Sequence, residues 1–150
     1  MRHGIAADEA DEGDAARPLT ARGRERTLEV VAGLERLKLK GDHVYTSPLR
    51  RAIETASLLG PINRGGVTVL PELGAPPSPG LLAELTYDRA ILVGHMPWLA
   101  ELCGIVTLGV PEGGAALDWR KGGVAWLVGD LRPAGMALRA FLPPRILRHP

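Results

Sequence analysis

Two histidines, His3 and His95, and three arginines, Arg2, Arg50 and Arg51, are the side chains of this 150-residue sequence best suited to chemistry. Their types suggest an anionic, phosphorus-bearing substrate. The arginine fork captures phosphate oxygens two at a time. A neutral imidazole attacks phosphorus and forms a phosphoenzyme, which splits a hard transfer into two easier steps. Arginines then hold the charge on the equatorial oxygens of an in-line transition state. All five sit at element boundaries. His3 precedes a loop, Arg50 and Arg51 follow Ser47-Pro48, and His95 follows the apolar run Ala90-Ile91-Leu92-Val93-Gly94.

The elements that must position them alternate between strand and helix. Thr20 reads as an N-cap, and Leu28, Val31, Leu34 and Leu37 recur at a spacing of three, so a helix is predicted from there to Gly41. His43-Val44-Tyr45-Thr46 is a short β-prone run. It leads into Ser47 as N-cap and Pro48 as first helical residue, with an apolar stripe at Ala52, Ile53, Ala56 and Leu59. Val67 to Leu70 reads as a second strand, and Leu81 to Leu85 as a short helix. Ala90 to Gly94 reads as a strand buried on both faces, with a helix from Pro97 to about Thr107. Two β-prone runs, Gly123 to Val128 and Met136 to Leu142, flank turn residues and predict a hairpin. The pattern predicts a single three-layer α/β domain over residues 1–150, with a mostly parallel central sheet, helices on both faces and a C-terminal β-hairpin. In such a sheet the C-terminal strand ends meet at one edge, so His3, the start of the helix after Pro48, and His95 are expected to converge there. Helix N-termini at 48 and 97 would add amide donors and a favourable dipole for an anion.

Composition excludes other classes. Lys and Arg number 18 against 17 Asp and Glu, so nothing marks a nucleic-acid or membrane-surface binder. The single Cys103 excludes a disulfide framework and a cysteine-based zinc site. The acidic cluster Asp8, Glu9, Asp11, Glu12 and Asp14 lacks the Ca²⁺-loop spacing and reads as a solvated loop. No metal and no cofactor is expected, and a cytoplasmic location is the default for a sequence with no membrane span or signal segment.

Three segments carry a resemblance. Arg2-His3-Gly4, then Ser47-Pro48-Leu49-Arg50-Arg51-Ala52-Ile53-Glu54-Thr55-Ala56, then Val93-Gly94-His95 resemble, in order and spacing, the motifs of the histidine phosphatase superfamily. Its name-giving motif is Arg-His-Gly. The short length, Arg17-Pro18-Leu19-Thr20 with Gly23, and Leu70-Pro71-Glu72-Leu73 resemble the SixA-like phosphohistidine phosphatases within it. The resemblance implies a phosphoglycerate mutase-like fold. It implies His3 as the transiently phosphorylated nucleophile, Arg2 and Arg51 as the phosphoryl clamp, and His95 as a donor across the pocket. Gly4 would contribute to the phosphate site through close backbone approach, and its carbonyl would fix the His3 tautomer. Arg51 takes the family position because it directly precedes Ala52, and Arg50 is left facing solvent or a partner.

Two departures sharpen the expectation. Larger relatives place a catalytic Glu shortly after the segment matching Pro71-Glu72-Leu73, and the count puts that position on Ala75. A phosphomonoester needs its alkoxide protonated, a contribution of roughly 10²–10⁴-fold, whereas a phosphohistidine leaves as imidazole. The missing acid therefore points to a phosphohistidine-bearing protein, such as a phosphotransfer domain, as partner. Two alternatives stay open: a small-molecule phosphomonoesterase using Asp8, Glu9 or another loop carboxylate, and a non-catalytic phosphate- or phosphohistidine-binding module. The family also carries a short apolar strand ahead of Arg-His-Gly. Only Met1 precedes the motif here, so that strand is expected to be cut short, with Met1 as its last residue.

Overall fold

Thr20 is extended, and its hydroxyl accepts the Gly23 amide at 2.9 Å, which satisfies one orphan donor of a first helical turn. Helix α1 follows over Ala21–Arg36. The computed structural model describes residues 1–149. The buried face of α1 is Gly23, Thr27, Val30, Val31 and Leu34, while Leu28 and Leu37 of the predicted stripe are 48% and 54% exposed. A strict spacing of three lags an α-helix by about 60° at each step and walks off the core face. The helix also stops before Gly41, where Lys38 adopts the left-handed conformation.

Strands β1 (His43–Thr46), β2 (Val67–Val69) and β3 (Ala90–Val93) form a parallel sheet in the order β2-β1-β3. They alternate with α2 (Arg50–Ser57), the single turn α3 (Leu81–Glu84) and α4 (Trp98–Leu108). Successive strand residues face opposite sides. Val44 joins Val30, Val31 and Leu34 of α1 and Ala52 and Ala56 of α2 in one core. Tyr45 joins Leu70, Leu73, Leu81, Leu102 and Val106 in another. Two cores on two faces make the expected three layers. Strand β3 is less enclosed than its apolar run predicts. Ala90, Ile91 and Leu92 are half-buried, and the strand sinks fully into the molecule only at Val93, its site end.

The C-terminal hairpin is present, with β4 (Val124–Gly129) and β5 (Met136–Leu142) antiparallel and a bulge between Trp126 and Leu127. It closes over a third cluster of Leu99, Ala100, Cys103 and Trp119, with Phe141 edge-on to Trp119. The last helix, α5 (Pro144–Arg148), lies on α1, where Gly33 leaves no room for a side chain against Leu147.

Residues 1–3 lie between the two halves. The His3 amide donates to the Gly94 carbonyl at 3.1 Å and the Gly94 amide to the Met1 carbonyl at 3.2 Å. On the other side the Arg2 amide donates to the Gly123 carbonyl at 3.0 Å, and the Gly122 amide bonds the Arg2 and His3 carbonyls. This extended segment thus runs parallel to β3 and lands His3 beside the end of β3.

Candidate active site

His3 is 6% exposed, and its Nδ1 lies 2.7 Å from the Gly4 carbonyl oxygen. A carbonyl only accepts, so Nδ1 carries the proton and Nε2 keeps a free lone pair. Gly4 is held in turn. Its amide donates to Thr55 Oγ1 at 3.0 Å, and the Thr55 hydroxyl donates to the Arg51 carbonyl at 2.7 Å, which ties the nucleophile's neighbour to α2. A Cβ on Gly4 would stand 2.5 Å from Thr27 Oγ1, so α1 packs against this backbone as closely as glycine permits.

His95 follows β3, with its ring centroid 5.0 Å from that of His3. Its Nε2 is 2.7 Å from Ser47 Oγ. Ser47 already accepts the Leu49 amide at 3.2 Å, so its own hydroxyl proton is available to Nε2. In the tautomer in which Nε2 accepts from Ser47, Nδ1 of His95 carries the ring proton, and this buried nitrogen has no partner. Ser47 therefore orients His95. The helix itself starts at Arg50, two residues later than Pro48, because Ser47 turns toward the histidine and Leu49 takes the cap position.

The two arginines enclose the rings. Arg2 Nη1 donates to the Trp119 carbonyl at 2.7 Å, and its Nε is buried without a partner. Arg51 is 6% exposed; its Nη1 donates to the Asp14 carbonyl at 2.9 Å and its Nη2 to Asp14 Oδ2 at 3.2 Å, while its Nε is also buried and unpartnered. Buried donors left unpaired cost free energy. Three such nitrogens, Arg2 Nε, Arg51 Nε and His95 Nδ1, belong to the residues gathered around His3.

Electrostatics keep both rings neutral. Burial, with the charges of Arg51 and Arg2 and the neighbouring His95 added, lowers the His3 pKa to about 3, although the Gly4 carbonyl opposes the shift. Burial and Arg51 lower His95 to about 4, against the opposing charge of Asp14. Burial and the nearby Arg120 also push the Arg2 guanidinium below its ordinary value. An unprotonated His3 Nε2 is thus present at any pH near neutrality.

Arg2, His3, Gly4, Arg51 and His95 come together as the sequence predicts. Arg50 does not join them; its Nε pairs with Glu54 Oε1 at 2.9 Å on the exposed side of α2. Asp8 and Glu9 are exposed, and among the described residues their carboxylates make no hydrogen bond or ion pair with the site residues. Asp14 is the loop carboxylate that reaches in. It bridges Arg51 and Arg17, whose Nε lies 2.9 Å from Asp14 Oδ1. Burial favours its neutral form, but the two arginines outweigh that and hold its carboxyl below the usual range. Nothing in the acidic cluster's spacing singles out Asp14. Glu72 is the other residue the motifs pass over. Its Oε2 is buried without a partner, and it lines a small cavity with Ala75, Trp98 and Leu99, where the Trp98 ring is edge-on to His95 with centroids 6.1 Å apart. Among the described residues no group of three His, Cys, Asp or Glu side chains is placed to hold a metal ion.

Residues 1–74, which hold both the His3 motif and the Arg51 motif, match the histidine phosphatase superfamily (branch 1). The chain belongs to this superfamily. It is 37% identical over 141 residues to an uncharacterized protein of Picosynechococcus sp. strain PCC 7002, covering 85% of this chain and 81% of that one. Its structure is similar to that of the protein histidine phosphatase SixA complexed with tungstate, at 25% identity and a TM-score of 0.83, covering 98% of this chain and 96% of that one. The fold is shared with alpha-ribazole phosphatase from Shigella flexneri, at 21% identity and a TM-score of 0.73, covering 96% and 95% of the two chains. The phosphoglycerate mutase-like architecture is therefore that of this chain. His95 lies beyond the matched residues, so its place in the site rests on the geometry alone.

Proposed function

We propose that the chain is a metal-independent phosphohistidine phosphatase acting on a protein through a phospho-His3 intermediate. The observation that carries this reading is the neutral His3 ring, fixed by Gly4 with Nε2 free, among three buried donors that have no partner. In the first step His3 Nε2 forms a bond to phosphorus while the P–N bond to the substrate imidazole breaks. The bonding pair stays on the leaving nitrogen, which takes up a proton from solvent. Arg2, Arg51 and His95 Nδ1 meet the equatorial oxygens, where transition-state charge is spread. In the second step water attacks phosphorus, the P–Nε2 bond breaks, and phosphate leaves with His3 restored.

An imidazole leaving group needs little protonation at the moment of departure, which suits a site in which Ala75 stands where the larger relatives' acid is counted. The SixA likeness supports the same substrate class. Incubation with ³²P-phosphohistidine protein should give acid-labile label on the native chain and none on His3→Ala. Phosphate release by the native chain without any trapped label under rapid quench would overturn the intermediate.

Glu72 favours a second reading, a small-molecule phosphomonoesterase. In that reading the buried, unpartnered carboxyl oxygen of Glu72 beside Trp98 serves as the acid for an alkoxide. Glu72→Gln separates the two. The phosphohistidine reading expects turnover of a phosphohistidine substrate within about twofold of native. A phosphomonoesterase loses about 10²-fold or more on its own substrate when its acid is removed.

A further inference from the structure

A second cleft opens beside Gly4, between α1, residues 121–122 and the start of α5, with a volume of about 40 Å³. A space of roughly 10–15 Å³ holds one water, so the cleft admits a group the size of a carboxylate. Three cations line it, Arg26, Lys121 and Arg148, and no acidic side chain does. Arg148 is committed, with Nε on the Pro144 carbonyl and Nη1 3.8 Å from Glu29. Arg26 and Lys121 have no ion pair and no side-chain hydrogen bond among the described residues. Other cations around the site are matched, with Arg24 and Arg50 sharing Glu54, Arg120 facing Asp118, and Arg17 and Arg51 sharing Asp14; Arg2, within the site, donates to the Trp119 carbonyl.

The cleft is joined to the site. Gly4, whose carbonyl holds His3, forms part of its wall, as does Gly122, whose amide bonds the Arg2 and His3 carbonyls. At 3.3–3.6 Å per extended residue, a few residues of chain span the distance from a phosphoryl group at His3 to this wall. The acidic loop of Asp8, Glu9, Asp11, Glu12 and Asp14 also reaches the site, with Asp14 against Arg51. Charge of opposite sign at these two places orients an incoming chain.

We infer that the Arg26–Lys121 cleft docks an Asp or Glu side chain that neighbours the phosphohistidine on the substrate protein. This rests on the phosphohistidine reading above and adds the substrate feature that this chain selects. It is an interaction for KM, since neither cation touches the reacting atoms.

The test uses three synthetic phosphohistidine peptides, identical except for Glu, Ser or Lys flanks. At low salt the native chain should show a KM for the Glu peptide about fivefold below that for the Ser peptide, the size expected of two partly exposed ion pairs. Added salt should erase the difference. In Arg26→Gln and Lys121→Gln the Glu-peptide KM should rise toward the Ser value with kcat unchanged, and in Arg26→Glu/Lys121→Glu the Lys peptide should become the preferred one. Equal KM values for Glu and Ser peptides on the native chain, or a Glu preference that survives both Gln substitutions, would overturn the docking site. Anisotropy of fluorescent Glu-flanked and Ser-flanked peptides that carry a non-hydrolysable phosphohistidine analogue provides a second readout that does not depend on turnover. A Glu preference in binding that is lost in the Gln variants, with no phosphohistidine peptide hydrolysed, would keep the dock and refute the phosphohistidine reading. Equal binding of the two peptides by the native chain would refute the dock whatever happens at His3.

Discussion

At Arg51 two of the three guanidinium nitrogens are already held by one residue, Asp14, through its carbonyl and its carboxylate. That leaves Nε as the buried donor with no partner, so Asp14 sets the angle at which Arg51 meets an oxyanion. Asp14 is a positioning residue on this geometry, and it places a negative charge beside the proposed phosphoryl site. Removing only the charge tests which effect dominates. Asp14→Asn keeps the carbonyl bond but weakens the fork, and it is expected to lower orthovanadate affinity and kcat/KM about tenfold, the scale of a hydrogen bond to a charged group. Asp14→Glu should restore part of both. An Asn variant that binds orthovanadate more tightly than native would show that Asp14 opposes the ligand and does not position its clamp. Thr55 acts in the same indirect way from below. Its hydroxyl joins the Gly4 amide to the Arg51 carbonyl, and Thr55→Val leaves that buried amide unpaired. A loss of about 1–3 kcal/mol in chemical denaturation is expected, with a lower kcat.

Helix α1 owes its position to two glycines that admit backbone where a side chain would stand. A Cβ on Gly23 would come within 2.0 Å of the Ile5 carbonyl oxygen. Gly23→Ala must push the first turn of α1 off residues 4–5, and thereby move the carbonyl that fixes the His3 tautomer. A drop of about 1–3 kcal/mol in stability, read by thermal melting, should accompany a fall in kcat. This contact is also where the sequence was hardest to read. The strands at 43–46 and 90–93 and the hairpin are legible because short β-prone runs between turn residues have few other readings. The core face of α1 is legible only in part: Val31 and Leu34 of the predicted stripe are buried, but the face continues through Gly23 and Thr27, which no hydrophobic pattern marks, while the more apolar Leu28 faces water. The same limit holds in the site. Residue type and motif spacing point to Arg2, His3 and His95, and the family resemblance picks Arg51 over Arg50. None of these finds Asp14, because one acid among five is distinguished only by where loop 8–16 comes to rest. Nor do they find the Ser47–His95 bond, because a serine before a proline reads first as a helix cap.

Over the whole molecule the two buried rings make stability depend on pH. Both histidines have folded pKa values below the ordinary 6.5, at about 3 and about 4. Above pH 6.5 neither state binds these protons and they contribute no slope. Below it the unfolded chain takes them up while the folded chain does not, so stability falls with pH until about pH 4 to 3. The slope is at most about 1.4 kcal/mol per pH unit for each ring. Denaturation at pH 7 and pH 5 should show the loss, and His95→Asn should make it shallower by close to one proton's worth. Equal slopes in native and variant would mean that His95 charges freely in the fold. The extended segment at residues 1–3 has a further bearing on endurance. It is hydrogen-bonded to Gly94 on one side and to Gly122 and Gly123 on the other, so it is the seam between the parallel sheet and the hairpin half. The two jaws of the proposed anion grip belong to opposite sides of that seam: Arg2 is braced on Trp119, next to the hairpin, and Arg51 and His95 stand on the parallel-sheet side. Any fluctuation that unzips the seam parts the jaws at the same moment. Loss of grip and opening of the seam are then one event, and hydrogen exchange at the Arg2, His3 and Gly94 amides should slow together when orthovanadate bridges the jaws.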